Sequence, residues 1–86
     1  MTDKMTIEDK VKAILVDKLG VLVEKLIPQA HLVDDLGADS LDMVEIMMAL
    51  EDEFDLEMTD EEAEKLLRIS DILKYAEDRV NAANSY

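Results

Sequence analysis

The sequence has no cysteine and no tryptophan, and only two tyrosines, one phenylalanine, two glycines and one proline among its 86 residues. Without cysteine the protein can form no disulfide, no thiolate metal site and no thiol nucleophile of its own. With so few aromatic side chains, the core must be built from Leu, Ile, Val, Met and Ala, which favours packed helices over sandwiched strands. We therefore expect an all-α fold, in which any sulfur chemistry depends on an added group.

Basic residues are also scarce, because nine Lys and Arg stand against 22 Asp and Glu and leave a formal net charge of -13. Such a charge repels nucleic acid and anionic lipid and favours fast, salt-sensitive encounter with basic protein surfaces. No apolar run approaches the ~20 residues of a membrane span, and the N-terminus has no signal-peptide pattern. We expect one domain over residues 1–86, monomeric and cytoplasmic, with no nucleic-acid partner.

The first two helices are predicted from capping residues and apolar spacing. Thr6 can cap a helix over residues 7–19, where apolar side chains recur every three to four residues. Asp39, with Asp42 three residues on, can open a second helix that continues to about residue 54. Local sequence therefore predicts where each of these helices begins, and Gly20 is well suited to end the first.

The segment 21–38 between these helices has no sustained periodicity and is longer than most connections in a compact domain. We interpret it as a long loop in which Leu22 and Val23, and then Leu26 and Ile27, turn inward as apolar anchors.

The last two helices are predicted from a second capping pattern. Thr59 and Glu62 match a capping box and should open a short third helix that runs through about Leu66. A last helix should begin near Ser70, and residues 81–86 should form a frayed tail. The sequence therefore predicts a small four-helix bundle, with three main helices and one short one.

The second helix carries two apolar stripes on opposite sides. One falls within roughly a 100° arc, the width expected of a core-facing stripe, and consists of Met43, Ile46, Met47, Leu50 and Phe54. The other lies among acidic residues and consists of Leu41, Val44 and Met48. Scattered exposed apolar side chains are ordinary, but a contiguous second stripe favours a docking face with carboxylates that orient basic partners.

Ser40 is the only hydroxyl residue between Gly37 and Phe54, at the predicted start of the second helix. Around it, residues 34–64 hold 14 of the 22 acidic residues and no Lys or Arg. Serine often serves as a helix cap, and composition alone favours that role. Asp39 already supplies a capping side chain, and a helix N-terminus can receive a phosphate group. Ser40 is therefore a candidate site of covalent attachment.

The residues around this serine also match a known pattern. They read DDLGADSLD over residues 34–42, continue as VE at 44–45 and MALE at 48–51, and are followed by DEEAEK at 60–65. This sequence resembles the bacterial type II acyl carrier proteins of fatty-acid synthesis, and the likeness extends more weakly from about Ile7 to Val80. It departs from the family pattern in the apolar loop residues Leu22, Leu26 and Pro28, and in Arg68, where a capping Thr is common.

The resemblance implies that the protein is a covalent carrier and not an enzyme. A phosphopantetheinyl synthase would transfer 4'-phosphopantetheine from coenzyme A to Ser40, and growing acyl chains would be carried as thioesters to fatty-acid synthesis enzymes with basic docking surfaces. The partner-contacting surface of the family aligns with Asp39, Leu41, Asp42, Val44, Glu45, Met48, Glu51, Asp52 and Glu57. The sheltered acyl chain would be lined by the core residues Ile46, Leu50 and Phe54.

Two other uses of the surface stay open on the sequence alone. The chain could serve polyketide or specialised lipid assembly, or it could be an unmodified acidic adaptor that binds a basic groove. An EF-hand over residues 34–45 is disfavoured, because its glycine is misplaced and Leu36 occupies a ligand position. His31, the only histidine, has no signalled orienting acid and is expected on the surface without a catalytic role.

Overall fold

The computed structural model of the protein describes residues 6–83, and it is helical as predicted. The four helices are α1 (Ile7–Leu19), α2 (Ser40–Phe54), α3 (Asp60–Glu64) and α4 (Ile69–Ala83). Within residues 6–83 there is no β-strand, only one isolated antiparallel bridge between His31 and Arg68. In the same part of the chain, none of the helices has the length and hydrophobicity of a membrane span.

Reciprocal side-chain bonds open the first three helices. At α1, Asp9 N donates to Thr6 Oγ1 at 3.1 Å, and Thr6 N donates to Asp9 Oδ2 at 3.3 Å. Thr59 and Glu62 form the equivalent pair at α3. At the other end of α1, Gly20 adopts the left-handed conformation with φ 67°, which glycine reaches at no steric cost. These local patterns explain why helix starts could be read from the sequence.

Two helix ends differ from the prediction. The third helix ends at Glu64 and not near Leu66, because Leu66 leaves the helix to enter the core, where it is buried. The last helix continues to Ala83, so the frayed tail expected over residues 81–86 is not seen as far as that residue. Residues 84–86 lie outside the described residues, as do residues 1–5, which precede the resemblance that starts at about Ile7.

Among the residues whose burial is described, the core is entirely apolar and draws on every part of the bundle except α3. Its buried residues include four from the long loop, which explains how so short a chain closes its core. They are Val11 and Leu15 of α1, Leu26, Ala30, Leu32 and Ala38 of the loop, Ile46, Met47 and Leu50 of α2, and Leu66, Ile69, Ile72 and Ala76.

Backbone bonds tie the long loop to the start of α4. Leu32 N donates to Leu67 O at 2.8 Å, and Ser70 N donates to Pro28 O at 2.8 Å. Of the four apolar anchors expected in this loop, only Leu26 is buried. Leu22, Val23 and Ile27 are exposed, and the short 3-10 turn over Val23–Lys25 contributes no buried residue.

His31 is not the exposed surface residue that the sequence suggested. Its side chain is only 17% exposed, and its Nδ1 accepts hydrogen bonds from Val33 N at 3.2 Å and Asp34 N at 3.1 Å. His31 N in turn donates to Asp35 Oδ2 at 2.7 Å. The imidazole therefore organises the turn that leads toward α2, a structural role that explains its place in the loop.

Candidate functional site

Ser40 is the first residue of α2 and its side chain is exposed. The chain reaches it through Gly37, which has a left-handed φ of 76°, and through Ala38, which is buried. Ala38 N donates to Leu32 O at 2.9 Å, so the loop immediately before Ser40 is fixed to the core. An accessible hydroxyl is thus held at a defined position on a rigid helix.

The cap of α2 does not depend on this hydroxyl. Asp42 N donates to Asp39 Oδ1 at 2.8 Å, and Asp39 N donates to Asp42 Oδ2 at 3.2 Å. Helix geometry leaves the N–H groups of Ser40 and Leu41 without an intrahelical partner, and the helix dipole adds partial positive charge there. The serine oxygen is therefore free for other chemistry, beside backbone donors that suit a phosphate.

The second apolar stripe of α2 lies on the surface, as the periodicity predicts. Leu41 is 65% exposed, Val44 53% and Met48 62%. These three residues form what we call the docking strip. In contrast, Ile46 and Leu50 on the opposite side of the helix are 0% and 2% exposed. The helix therefore presents one apolar side to the core and another to solvent, where a partner can bury it.

The acidic residues assigned to the partner surface divide into two groups. Glu45, Asp52 and Glu57 are exposed, whereas the carboxylates of Asp39 and Asp42 are engaged in the helix cap. A third carboxylate is also used internally, because Glu51 Oε2 accepts a hydrogen bond from Met58 N at 2.8 Å. Acidic side chains therefore do lie beside the docking strip. Those bonded in the helix cap or to Met58 N are held in place, and only the others are free to reorient toward a partner. The roles given to these residues in partner binding stay predictions.

An apolar groove of about 650 Å³ begins at Ser40 and runs between α2 and the residues around α3. Its apolar walls include Met43 and Met47 from α2, and Met58, Ala63 and Leu67 from the opposite side. Of the residues expected to line an acyl chain, Ile46 and Leu50 lie in the closed core, and Phe54 is partly buried against it. None of these three lines the groove, and their assignment to the chain stays a prediction.

A polar cluster behind the groove was not found from the sequence. Tyr75 OH donates to Glu62 Oε1 at 3.0 Å, and Arg79 Nη1 donates to Tyr75 OH at 2.7 Å. Arg79 Nη1 also lies 3.4 Å from Glu62 Oε2, and its Nη2 donates to Glu57 O at 3.1 Å. We call Glu62, Tyr75 and Arg79 the clasp, because they join α3 to α4. The sequence signalled Glu62 only as a capping residue. The spacing of four residues between Tyr75 and Arg79, which puts both on one face of a helix, is the signal that could have indicated the pair.

The clasp shifts the pKa of both of its titratable oxygen groups. The backbone hydrogen bond from Thr59 and the bond from Tyr75 OH hold the pKa of Glu62 below its ordinary value of 4.5, and Arg79 adds to the effect. Partial burial and the neighbouring Glu62 raise the pKa of Tyr75 above 10.0. Both shifts favour the protonation states that make the observed bonds, an ionised Glu62 and a neutral Tyr75.

Among residues 6–83, no three His, Asp or Glu side chains lie close enough together to hold a metal ion.

The chain is similar to known proteins over most of its length. Residues 9–76 match the family described as the phosphopantetheine attachment site, a range that includes Ser40. The chain is also 47% identical over 75 residues to the acyl carrier protein of Nitratidesulfovibrio vulgaris strain DP4, a match that covers 87% of this chain and 99% of the relative. The acyl carrier protein of the Hildenborough strain of that species matches with the same identity and coverage.

Proposed function

The chain belongs to the acyl carrier protein family, with a 4'-phosphopantetheine prosthetic group, and we propose that Ser40 is the residue to which that group is esterified. The observation that carries the proposal is the position of Ser40. It is an exposed hydroxyl at the first residue of α2, spared from capping by the pair Asp39 and Asp42 and adjacent to an apolar groove.

The residues at this position fit such a group. A phosphate ester on Ser40 would lie beside the unpaired N–H groups of the first turn, which favour negative charge. The carboxylates of Asp39 and Asp42 act in the opposite sense, but each is already committed to a backbone N–H. The bound group supplies the thiol that a chain without cysteine lacks, and acyl groups are held on it as thioesters.

The protein itself positions partners beside the prosthetic group and shelters the acyl chain. The docking strip offers apolar contact to successive partners, and the exposed carboxylates of Glu45, Asp52 and Glu57 steer basic surfaces toward it. Because the strip is narrow, a partner buries little apolar area on it and is readily released. The exposed carboxylates speed association, an effect that salt weakens. The groove beside Ser40 gives an acyl chain a place out of water, lined by flexible methionine side chains.

We further propose that these partners are a phosphopantetheinyl synthase and the enzymes of fatty-acid synthesis, and that the chain itself catalyses no reaction. The acyl carrier proteins to which it is similar support this assignment. A carrier for polyketide or specialised lipid assembly would use the same surface, so the acyl groups bound to the native protein distinguish the two pathways. A cytoplasmic location and a monomeric state remain predictions.

Loading with purified components tests the proposal. The protein is incubated with coenzyme A and a phosphopantetheinyl synthase, and the product is analysed by intact mass and peptide mapping. We expect one added group on wild type and on Ser70→Ala, a control that removes another exposed serine from the first turn of a helix. Ser40→Ala should gain no mass. Absence of any gain in the wild type would favour the adaptor.

A further inference from the structure

The short helix α3 is poorly suited to hold its own position. It has five residues and none of them is buried, and a helix of that length has little stability in isolation. Its capping box orders the first turn but does not attach the helix to the rest of the bundle. Contacts from outside α3 must therefore fix where it lies.

Besides the packing of Ala63 against the core, two sets of polar contacts attach α3 from opposite sides. On the α2 side, Glu51 Oε2 accepts from Met58 N at 2.8 Å, just before α3 begins. On the α4 side, Tyr75 and Arg79 bind Glu62, which lies in the middle of α3. Arg79 also reaches Glu57 O, and its guanidinium carbon lies 5.3 Å from the centre of the Tyr75 ring. The clasp is therefore one connected unit.

The attached helix forms one wall of the apolar groove. Met58, Ala63 and Leu67 face Met43 and Met47 of α2 across it. The opposite wall is formed by α2, a 15-residue helix with three buried residues, and is therefore not easily displaced. The width of the groove therefore depends on how far α3 can move away from α2. That movement is opposed by the bonds of the clasp.

We propose that the clasp of Glu62, Tyr75 and Arg79 sets how far the groove can widen, and so limits the length and bulk of the acyl chain that the protein shelters. The proposal rests on the carrier function proposed above. The three residues are positioning residues, because they contact α3 and one another and do not line the groove. Weakening the clasp should admit longer chains without changing the modification of Ser40.

The test compares wild type with Tyr75→Phe, which removes the hydroxyl and keeps the ring, and with Arg79→Gln. Lys74→Gln is the matched control, because it removes the charge of another α4 ion pair, with Asp78, that lies outside the clasp. Each protein is loaded on Ser40 with acyl chains from butyryl to palmitoyl. The rate of acyl release by hydroxylamine and the methyl NMR shifts of Met43, Met47 and Met58 then report how deeply each chain enters.

We expect wild type and Lys74→Gln to protect chains up to the same limiting length. In Tyr75→Phe and Arg79→Gln the limit should move to longer chains, with release of the first such chain slowed about tenfold, the factor that corresponds to one lost hydrogen bond to a charged group. An identical length profile in all four proteins would overturn the proposal. So would a profile in which Lys74→Gln behaves like the two clasp variants.

Hydrogen exchange of the unloaded proteins separates this inference from the proposed function. The amides of α3 should exchange about tenfold faster in the two clasp variants, whereas those of α2 should not change. Unaltered exchange in α3 would overturn the clasp even if Ser40 is loaded normally. If neither wild type nor any variant can be loaded on Ser40, the carrier function is overturned. The proposed limit on chain length then falls with it.

Discussion

Asp39 and Asp42 each accept a hydrogen bond from the other's backbone N–H group, at 2.8 and 3.2 Å, across the first turn of α2. Ser40 lies between them in the sequence and takes no part in this exchange. The helix that presents the serine is therefore capped by its acidic neighbours. The hydroxyl can therefore be modified without loss of the cap.

Replacing the cap should affect stability, whereas replacing the serine should not. Asp39→Ala is expected to lower the free energy of unfolding by ~1 kcal/mol, the usual cost of a lost N-cap. Asp39→Asn retains an accepting oxygen, and Ser40→Ala changes an exposed residue, so each should stay within about 0.5 kcal/mol of wild type. Urea denaturation of the four proteins measures these differences. A cost for Ser40→Ala as large as that for Asp39→Ala would contradict this account of the cap.

The two apolar sides of α2 should respond differently to the same substitution. Leu50→Ala creates a cavity in the closed core and should cost about 2 to 5 kcal/mol. Leu41→Ala removes an exposed side chain and should change stability by less than about 0.5 kcal/mol, while weakening the binding of partners. Thermal or urea unfolding, together with binding to a partner enzyme, separates the two effects. Equal destabilisation by both substitutions would show that the docking strip is part of the core.

Features that depend on nearby residues could be predicted from the sequence. In each capping pair, at Thr6, Asp39 and Thr59, the two residues lie three positions apart. Their side chains can therefore bond the backbone N–H groups regardless of the rest of the fold. The two stripes of α2 follow from helix geometry alone. The resemblance to acyl carrier proteins rested on the block around Ser40, which the family match at residues 9–76 includes.

Features that depend on distant residues could not be predicted in this way. The clasp joins Glu62 to Arg79 across 17 positions, and the groove is bounded by segments whose packing no local pattern specifies. His31 was misplaced although its partners Val33 and Asp34 are close in sequence, because no local pattern indicates the turn that brings their N–H groups to the imidazole. The exposed residues Leu22, Val23 and Ile27 show that apolar character alone does not decide burial.

The charge beside the docking strip should control the rate of association. Glu45→Lys reverses an exposed charge next to Val44 and should slow binding to a basic phosphopantetheinyl synthase several-fold at low salt, with less effect at high salt. Glu77→Lys is the control, because it makes the same change at an exposed position on α4. Stopped-flow association rates over a range of salt concentrations provide the measurement. Equal slowing by both variants would mean that net charge matters and the site does not.

The clasp should also make the stability of the fold depend on pH in the acid range. Because the folded-state pKa of Glu62 lies below 4.5, the unfolded chain binds more protons there, and this group stabilises the fold above its ordinary pKa. That contribution is lost as the pH falls through the lowered pKa of the folded state. Glu62→Gln should therefore be less stable than wild type above pH 4.5, with a difference that shrinks as the pH falls further.

Urea denaturation at a series of pH values measures this difference. Tyr75→Phe provides the companion measurement, since it removes one of the bonds that lower the pKa of Glu62. In that background the pH-dependent difference caused by Glu62→Gln should be smaller. A difference that does not vary across the acid range would count against an ionised Glu62 as the centre of the clasp.

The attachment of the prosthetic group to Ser40 is tested most directly on the protein purified from its own cells. Intact mass, followed by fragmentation of the peptide that contains Ser40, reports both the presence and the position of the group. We predict a mass increase equal to 4'-phosphopantetheine, with or without an acyl chain, located on the Ser40 oxygen. An unmodified serine in all of the native protein, or the same group found on another residue, would contradict the account.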